Sequence, residues 1–300
     1  MRLALVFVAE LLVLCSCGGG DGGGTTPTDT RIVKGTVNNN VVSLPVSIEG
    51  VATMPFIADT GTPLTLVDPS RFASLGLDAG VGQITTLDVG GVHLQNVNIV
   101  ALSPCGQMVC SGSQPAGLLG GAVFVDFQLT FDYRAATVGF GASAIPAGAG
   151  APVTIAFDLA GGHPAGSGLT PAVAVPATRI VVDVAIEGTT YPFVLDTGSS
   201  PMVLKPDLYD TLVADGRDQG MTQISTVNGT VSQPSTSLKM VAVGGASQSG
   251  VHAVRSPLDL DRVGAEVGVP VAGLLGGSYL ANYIVTIDYP GRRLTLRTNP

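Results

Sequence analysis

Two aspartates lie in nearly identical surroundings in the two halves of this chain. Asp59 occurs in PFIADTGTPLTL (residues 55–66) and Asp196 occurs in PFVLDTGSSPMVL (residues 192–204). Each aspartate ends an apolar run and is followed by Thr-Gly and then by a residue with a hydroxyl group. Two like charges about 3 Å apart cannot both ionise. If the halves bring Asp59 and Asp196 together, we therefore expect the pair to share one proton.

The residues that follow each aspartate can supply the hydrogen bonds that a buried carboxylate needs. They are Thr60, Gly61, Thr62, Thr197, Gly198 and Ser199. The glycines allow a tight turn that brings peptide N–H groups close to the carboxylates. The hydroxyl groups of Thr62 and Ser199 are expected to donate to the outer carboxylate oxygens, and those of Thr60 and Thr197 are available to bridge the halves. In such a pair, one carboxylate can activate a water as general base while the other polarises a carbonyl as general acid.

The repeat extends well beyond the aspartates. AGLLGGAVFVDFQLTFDY (residues 116–133) is answered by AGLLGGSYLANYIVTIDY (272–289), VSIEG (46–50) by VAIEG (184–188), and TRIV (30–33) by TRIV (178–181). The spacing is 137 residues at the aspartates and 156 at Gly-Leu-Leu-Gly, so the second half contains roughly 17 to 19 extra residues in between. A period above about 100 residues indicates two duplicated domains.

The composition favours a turn-rich β protein. The chain has 300 residues, of which 45% are hydrophobic and 12% charged, with 41 Gly and 20 Pro. The net charge is −8 and the 14 Lys and Arg residues are scattered. Because nucleic-acid binding requires clustered positive charge, this distribution excludes a nucleic-acid partner.

The N-terminal residues read as a targeting segment. Arg2 precedes LALVFVAELLVL, an apolar run too short to span a membrane and typical of a secretory signal. The run ends in Cys15-Ser16-Cys17, which resembles a bacterial lipobox, and the small Ser16 favours lipidation of Cys17. A plain signal peptide with two incidental cysteines is the alternative. We expect an exported protein, lipid-anchored to the bacterial cell envelope and, because no Asp follows Cys17, to the outer membrane.

We divide the chain into five segments: a signal peptide (1–17), a Gly-rich tether (18–29), a first lobe (30–145), a linker (146–171) and a second lobe (172–300). Short helices are predicted at DPSRFASL, with Asp68 as N-cap, at KPDLYDTLVAD and at PLDLDRVGAEVG. Hairpin turns are predicted at Gly90-Gly91 and at Asn228-Gly229.

The cysteines and histidines indicate a structural bond and no metal site. Cys105 and Cys110 are the two cysteines left in the mature chain and are expected to form a disulfide in an exported protein. The three histidines are isolated and show no metal-ligand spacing. We therefore expect no metal and no cofactor.

The chain resembles the aspartic proteases, in both their two-lobed pepsin-like form and their smaller retroviral-type form. The resemblance is carried by the two Asp-Thr-Gly motifs and by Gly-Leu-Leu-Gly at residues 117–120 and 273–276, and it covers residues 30–300. It implies an all-β fold of two pseudo-symmetric β-barrel lobes, with short helices only and an active cleft between the lobes. It also implies an aspartic endopeptidase that hydrolyses a polypeptide substrate with Asp59 and Asp196. Because one chain supplies both lobes, we expect a monomer.

One departure from the family pattern keeps a second hypothesis open. Pepsin-like enzymes cover the cleft with a first-lobe hairpin that carries a tyrosine, but no tyrosine lies between Asp59 and Tyr133 here. The longer hairpin is expected in the second lobe. The alternative is a catalytically silent lipoprotein that acts as a peptide-binding or scaffolding module.

Four further residues in the matched strands are expected to have structural roles. Tyr133 and Tyr289 are interpreted as packing residues. Asp132 and Asp288, at strand ends before arginines, are interpreted as residues of solvated turns.

Overall fold

The computed structural model describes residues 4–5, 31–102, 115–141, 145–163, 174–226 and 229–300, with the backbone alone at positions 4, 5, 226 and 229. The predicted lipidation site Cys17, the tether and the predicted disulfide between Cys105 and Cys110 lie outside these residues. Within them, no helix has the length and apolar character needed to span a membrane.

The fold is all-β, as predicted, with 52% of residues in strands and only short helices. The strands of the first half are β2 (Arg31–Lys34), β3 (Thr36–Asn38), β4 (Val41–Ile48), β5 (Met54–Ala58), β6 (Thr65–Val67), β7 (Gly80–Val89), β8 (Val92–Ala101), β9 (Gly117–Leu119), β10 (Gln128–Asp132) and β11 (Thr137–Phe140), preceded by β1 (Ala4–Leu5). Two 3-10 helices cover Pro69–Leu75 and Gly121–Val123.

The strands of the second half are β12 (Val153–Ala156), β13 (Asp158–Ala160), β14 (Arg179–Ile186), β15 (Thr189–Leu195), β16 (Met202–Leu204), β17 (Asp218–Thr226), β18 (Gly229–Leu238), β19 (Val241–Val243), β20 (Ala246–Gln248), β21 (Val251–Arg255), β22 (Gly273–Leu275), β23 (Tyr283–Asp288) and β24 (Arg293–Thr298). The helices are α1 (Pro206–Val213), α2 (Leu260–Val267) and α3 (Gly277–Leu280). The helix that begins at Pro69, α1 and α2 lie where the sequence predicts short helices.

Six strands of the first half close into a barrel. They follow the order β4–β5–β9–β6–β8–β7, and β7 pairs again with β4. In β4 buried and partly exposed residues alternate from Val42 to Ile48, as expected for a strand with one face on a core. The β7–β8 hairpin turns at Gly90 and Gly91, both with positive φ, as predicted.

The second half repeats this path with one addition. Strands β14–β15–β22–β16–β21–β18 follow the same order, and β19, which continues the direction of β18, pairs with β14. The added strand is β17, whose nine residues pair antiparallel with β18 and account for much of the extra length. This confirms the second-half hairpin, although the residues between Thr226 and Gly229 lie outside the described part of the chain. The other edge of β17 pairs in parallel with β1.

A six-stranded sheet joins the two halves. Its order is β12–β24–β23–β10–β11–β2, so each half contributes three strands. The central strands β10 and β23 are antiparallel, and the hydroxyl groups of Thr130 and Thr286 lie 3.1 Å apart across them. Strand β12 falls within the segment that the sequence assigns to a linker.

The two TRIV segments are not structurally equivalent, which corrects the sequence comparison. Residues 31–33 of the first lie in β2 of the joining sheet, whereas the second lies at the start of β14 in a barrel. The strand β4 corresponds instead to β14. The matched segments VSIEG and VAIEG place Ile48 and Ile186 at equivalent positions, and these two residues end the two strands. This alignment makes Val41 the counterpart of Arg179.

The Gly-Leu-Leu-Gly segments form β9 and β22 behind the aspartates. Strand β9 is parallel to β5 and antiparallel to β6, and β22 has the same relation to β15 and β16. A Cβ atom on Gly273 would lie 2.0 Å from the carbonyl oxygen of Val203, and one on Gly276 would lie 2.0 Å from that of Pro201. Glycine is required at both positions because neighbouring backbone occupies the space of a side chain.

We expect Gly273→Ala to lower the free energy of unfolding by about 1–3 kcal/mol, because the added methyl group must displace backbone in a closely packed barrel. Gly82→Ala is the matched control, since no atom lies within 4 Å of a Cβ at that strand position. Chemical denaturation of both variants checks the expectation. Equal unfolding midpoints for the two variants would contradict it.

Candidate active site

The backbones of Asp59 and Asp196 are fixed by the strands behind them. Asp59 follows β5 and its N–H donates to the carbonyl oxygen of Leu119 at 2.9 Å, and Asp196 follows β15 and donates to Leu275 at 3.1 Å. Both aspartate side chains are completely buried. The two acids therefore extend from equivalent points of the two barrels into a region closed to solvent.

Reciprocal hydrogen bonds of two threonines join the aspartate loops. The N–H of Thr60 donates to Oγ1 of Thr197 at 3.1 Å, and the N–H of Thr197 donates to Oγ1 of Thr60 at the same distance. Each hydroxyl group then donates across the interface, Thr60 to the carbonyl oxygen of Leu195 at 2.9 Å and Thr197 to that of Ala58 at 2.7 Å. All four bonds are buried, so they hold the two loops in one fixed relation.

Each carboxyl group packs against the glycine of the opposite loop. A Cβ on Gly61 would lie 2.6 Å from Cγ of Asp196, and a Cβ on Gly198 would lie 2.5 Å from Cγ of Asp59. Neither glycine has a positive φ. Glycine is therefore required for this close approach, and not for the tight turn that the sequence suggests. The two carboxyl groups are close enough for each to change the pKa of the other.

Asp59 receives three hydrogen bonds from its own loop. Its Oδ1 accepts from the N–H groups of Gly61 at 2.8 Å and Thr62 at 3.2 Å. Its Oδ2 accepts from the hydroxyl group of Thr62 at 2.7 Å, as the sequence predicts. These donors all favour the charged form of the carboxyl group.

Asp196 receives only two such bonds. Its Oδ1 accepts from the N–H groups of Gly198 at 2.9 Å and Ser199 at 3.0 Å. The hydroxyl group of Ser199 donates to the carbonyl oxygen of Pro201 at 2.9 Å, so the prediction that it donates to the carboxylate is wrong. Among the described residues, Oδ2 of Asp196 has no hydrogen-bond donor.

These differences separate the two acids electrostatically. Burial raises the pKa of Asp59 to about 6, against the opposing effects of its bonds from Thr62, Gly61 and Asp196. Burial raises the pKa of Asp196 well above its usual value, and the charge of Asp59 and the hydrogen bond between the acids raise it further. Asp59 is therefore the acid that ionises first and Asp196 the one that keeps the proton.

Tyr133 and Tyr289 pack in the core, as the sequence predicts. Sequence reasoning missed that their hydroxyl groups lie close enough to the two aspartates for the aspartate charges to act on them. They follow β10 and β23, and their rings contact those of Phe131 and Phe157. Burial raises the pKa of both hydroxyl groups, and the charge of the opposite half's aspartate raises each further. Neither hydroxyl group has a hydrogen-bond partner within the described parts of the chain. The sequence feature that indicates equivalent positions for these tyrosines is their spacing of 156 residues, which is also the spacing of the two Gly-Leu-Leu-Gly segments.

The other matched aspartates hold turns. Oδ1 of Asp132 accepts from the N–H of Ala135 at 2.8 Å, and Oδ1 of Asp288 accepts from that of Gly291 at 2.9 Å. Asp132 is buried, whereas the sequence suggests a solvated position. No group of three or more His, Cys, Asp or Glu residues that could hold a metal ion occurs among the described residues.

One family comparison matches the half of this site that contains Asp196. Residues 182–279 match a family model described as aspartyl protease, and this stretch contains both Asp196 and the second Gly-Leu-Leu-Gly. No curated protein matches the chain significantly.

We expect Asp196→Asn to become more stable relative to the wild type as the pH rises from about 4 to about 7. The raised pKa of Asp196 means that its contribution to stability is complete below the unfolded-state value of 3.8 and is lost as the pH rises through the folded-state value. Asparagine cannot ionise and does not carry this cost. Urea denaturation of both proteins across this pH range checks the expectation, and a constant difference would contradict it.

Proposed function

We propose that this chain, whose assignment to the aspartic protease superfamily is supported by the family match, is an aspartic endopeptidase that hydrolyses polypeptides. The observation that carries the proposal is the pair of buried carboxyl groups of Asp59 and Asp196, each packed against the glycine of the opposite loop and held in place by the reciprocal threonine bonds. One negative charge and one proton on such a pair are what acid and base catalysis of peptide hydrolysis require.

The two acids have distinct roles in the proposed mechanism. The ionised Asp59 removes a proton from a water molecule as that water attacks the peptide carbonyl carbon. The protonated Asp196 donates to the carbonyl oxygen, which gives a neutral tetrahedral diol. When the diol collapses, the proton on Asp59 passes to the leaving nitrogen and Asp196 recovers a proton from a diol hydroxyl group. The dyad thus returns to its starting state with one proton.

The hairpin β17–β18 supports an extended polypeptide as substrate. It belongs to the second half and carries two exposed apolar side chains, Met221 and Val231. Within the described residues 31–300, β17 pairs only with β18, so its other edge is open to pairing with an extended segment. We propose that a substrate pairs with the same edge as it enters between the halves.

A second function is favoured by one observation. Both carboxyl groups are completely buried, which is the state expected if they serve to join the halves of a catalytically silent peptide-binding or scaffolding module. Under the peptidase proposal, the site must open to admit a substrate and a water. The two functions differ in whether an unfolded polypeptide is cut.

The cellular context is likewise proposed from the sequence. We propose that a lipid on Cys17 anchors the exported protein to the bacterial cell envelope, in the outer membrane, that Cys105 and Cys110 form a disulfide, and that the protein is a monomer.

We expect Asp59→Asn and Asp196→Asn each to reduce the cleavage of an unfolded polypeptide by at least about 10²-fold, because each removes the acid or the base of the dyad. Asp288→Asn is the matched control, since that residue holds a turn. Cleavage is measured with the purified protein between acidic and neutral pH. A wild type that binds peptides without cutting them, or aspartate variants that cut as well as the wild type, would reject the peptidase and favour the binding module.

We expect Thr62→Val to move the acid limb of the kcat/KM profile to higher pH by about one to two units. The variant loses a hydrogen bond to the charged form of Asp59, and such bonds contribute about 1.5–3 kcal/mol. Ser199→Ala is the control, because its hydroxyl group donates to Pro201 and not to Asp196. Equal shifts in the two variants would contradict the assignment of Asp59 as the base.

A further inference from the structure

Arg179 crosses from the second half to the loop of Asp59. It lies at the start of β14 and is 3% exposed. Its Nε donates to the carbonyl oxygen of Gly61 at 3.0 Å, and its Nη1 pairs with Oε2 of Glu266 on α2 at 2.5 Å. The guanidinium group is therefore shared between a carboxylate of its own half and the backbone of the opposite active-site loop.

Glu266 sets the orientation of this guanidinium group. A buried arginine is unfavourable unless its charge is paired, and Glu266 is the acid that pairs with it. The other oxygen of Glu266 lies 3.4 Å from Nε of Arg262, which is more exposed. Because the guanidinium group is planar and its donors have fixed directions, the pairing of Nη1 with Glu266 aims Nε at Gly61.

Among the described residues of the first half, no equivalent of this contact occurs. Val41 occupies the matching position in β4 and packs in a buried cluster with Ile57 and Leu118. Its side chain has no donor, so it cannot hold the Gly198 carbonyl as Arg179 holds that of Gly61. The contact therefore acts on the loop of Asp59 and not symmetrically on that of Asp196.

The carbonyl group of Gly61 and the N–H of Thr62 belong to the same peptide unit. In a planar trans peptide these two groups point in opposite directions. A donor that fixes the Gly61 carbonyl on one side therefore aims the Thr62 N–H at Oδ1 of Asp59 on the other, where the distance is 3.2 Å. A hydrogen bond to the carbonyl also polarises the N–H of the same unit.

We propose that Arg179, oriented by Glu266, is a positioning residue that holds the Gly61–Thr62 peptide and thereby sets the geometry of Asp59 against Asp196. The role rests on the proposed peptidase function. The described contacts of Arg179 are with Gly61 and Glu266 and not with either carboxyl group of the dyad, so it acts through the Gly61–Thr62 peptide.

The test uses the double variant Arg179→Met/Glu266→Met in the full-length protein. Removing Arg179 alone would leave the partly buried charge of Glu266 without this partner and endanger folding, whereas replacing both partners by apolar residues of similar size is often tolerated. We expect kcat to fall by about 10- to 100-fold, since small displacements of a catalytic group are costly, with KM within about twofold of the wild type. Thermal unfolding confirms that the variant is folded.

Two single variants separate positioning from general damage. Arg262→Met removes the other partner of Glu266 and should leave kcat unchanged. Arg179→Lys keeps the charge but not the planar fork, so it should retain most of the stability and recover little of kcat. A double variant with wild-type kcat, or an Arg262→Met variant that loses as much activity, would overturn the proposal.

Amide hydrogen exchange gives a readout that does not depend on activity. In the double variant, exchange should accelerate in peptides covering residues 59–64 and stay unchanged in those covering 196–201, which serve as an internal control. If the wild type cuts no polypeptide, the peptidase proposal fails, but the exchange still decides the role of Arg179. Unchanged exchange in residues 59–64 would overturn that role.

Discussion

The site depends on four buried hydrogen bonds exchanged by Thr60 and Thr197. Each threonine donates from both its backbone and its hydroxyl group to the other half, so neither aspartate loop has its observed position without the other. The contact presses Asp59 and Asp196 against the glycines of the opposite loops, where no larger residue fits. Because both carboxyl groups are buried, two charges there would be strongly unfavourable, and the packing favours a single negative charge on the pair.

The duplicated architecture does not make the two acids equivalent. The hydroxyl group of Thr62 donates to Asp59, whereas that of Ser199 donates to Pro201, and one oxygen of Asp196 has no donor among the described residues. Arg179 adds a second difference on the same side, since it donates to the Gly61 carbonyl group and its counterpart is an apolar valine. The bond from Thr62 favours the negative charge on Asp59, and the contact of Arg179 holds the peptide whose N–H also donates to that carboxyl group. Small changes outside a repeated motif can therefore give a symmetric fold an asymmetric charge distribution.

Much of the fold could be predicted because its signals are local. The pair Gly90-Gly91 predicts a hairpin, and both glycines have the positive φ that such a turn uses. Asp68 followed by Pro69 predicts the start of a helix. The long-range contacts could not be predicted in the same way. The Ser199 hydroxyl group donates to a carbonyl group two residues away and not to the carboxylate. The two TRIV segments lie in different sheets, because the strands with which they pair differ although their local sequences are the same. The bond from Arg179 to Gly61 spans 118 residues and has no sequence motif.

The closed state of the site links ionisation to access. Burial raises the pKa of both acids, so the closed arrangement favours their protonated forms. If the halves or the β17–β18 hairpin move to admit water, the carboxyl groups are solvated again and their pKa values fall. By thermodynamic linkage, deprotonation of Asp59 must then favour the open arrangement to the same degree that opening favours deprotonation. The charge that the proposed mechanism needs on Asp59 therefore also promotes the opening through which a substrate would enter.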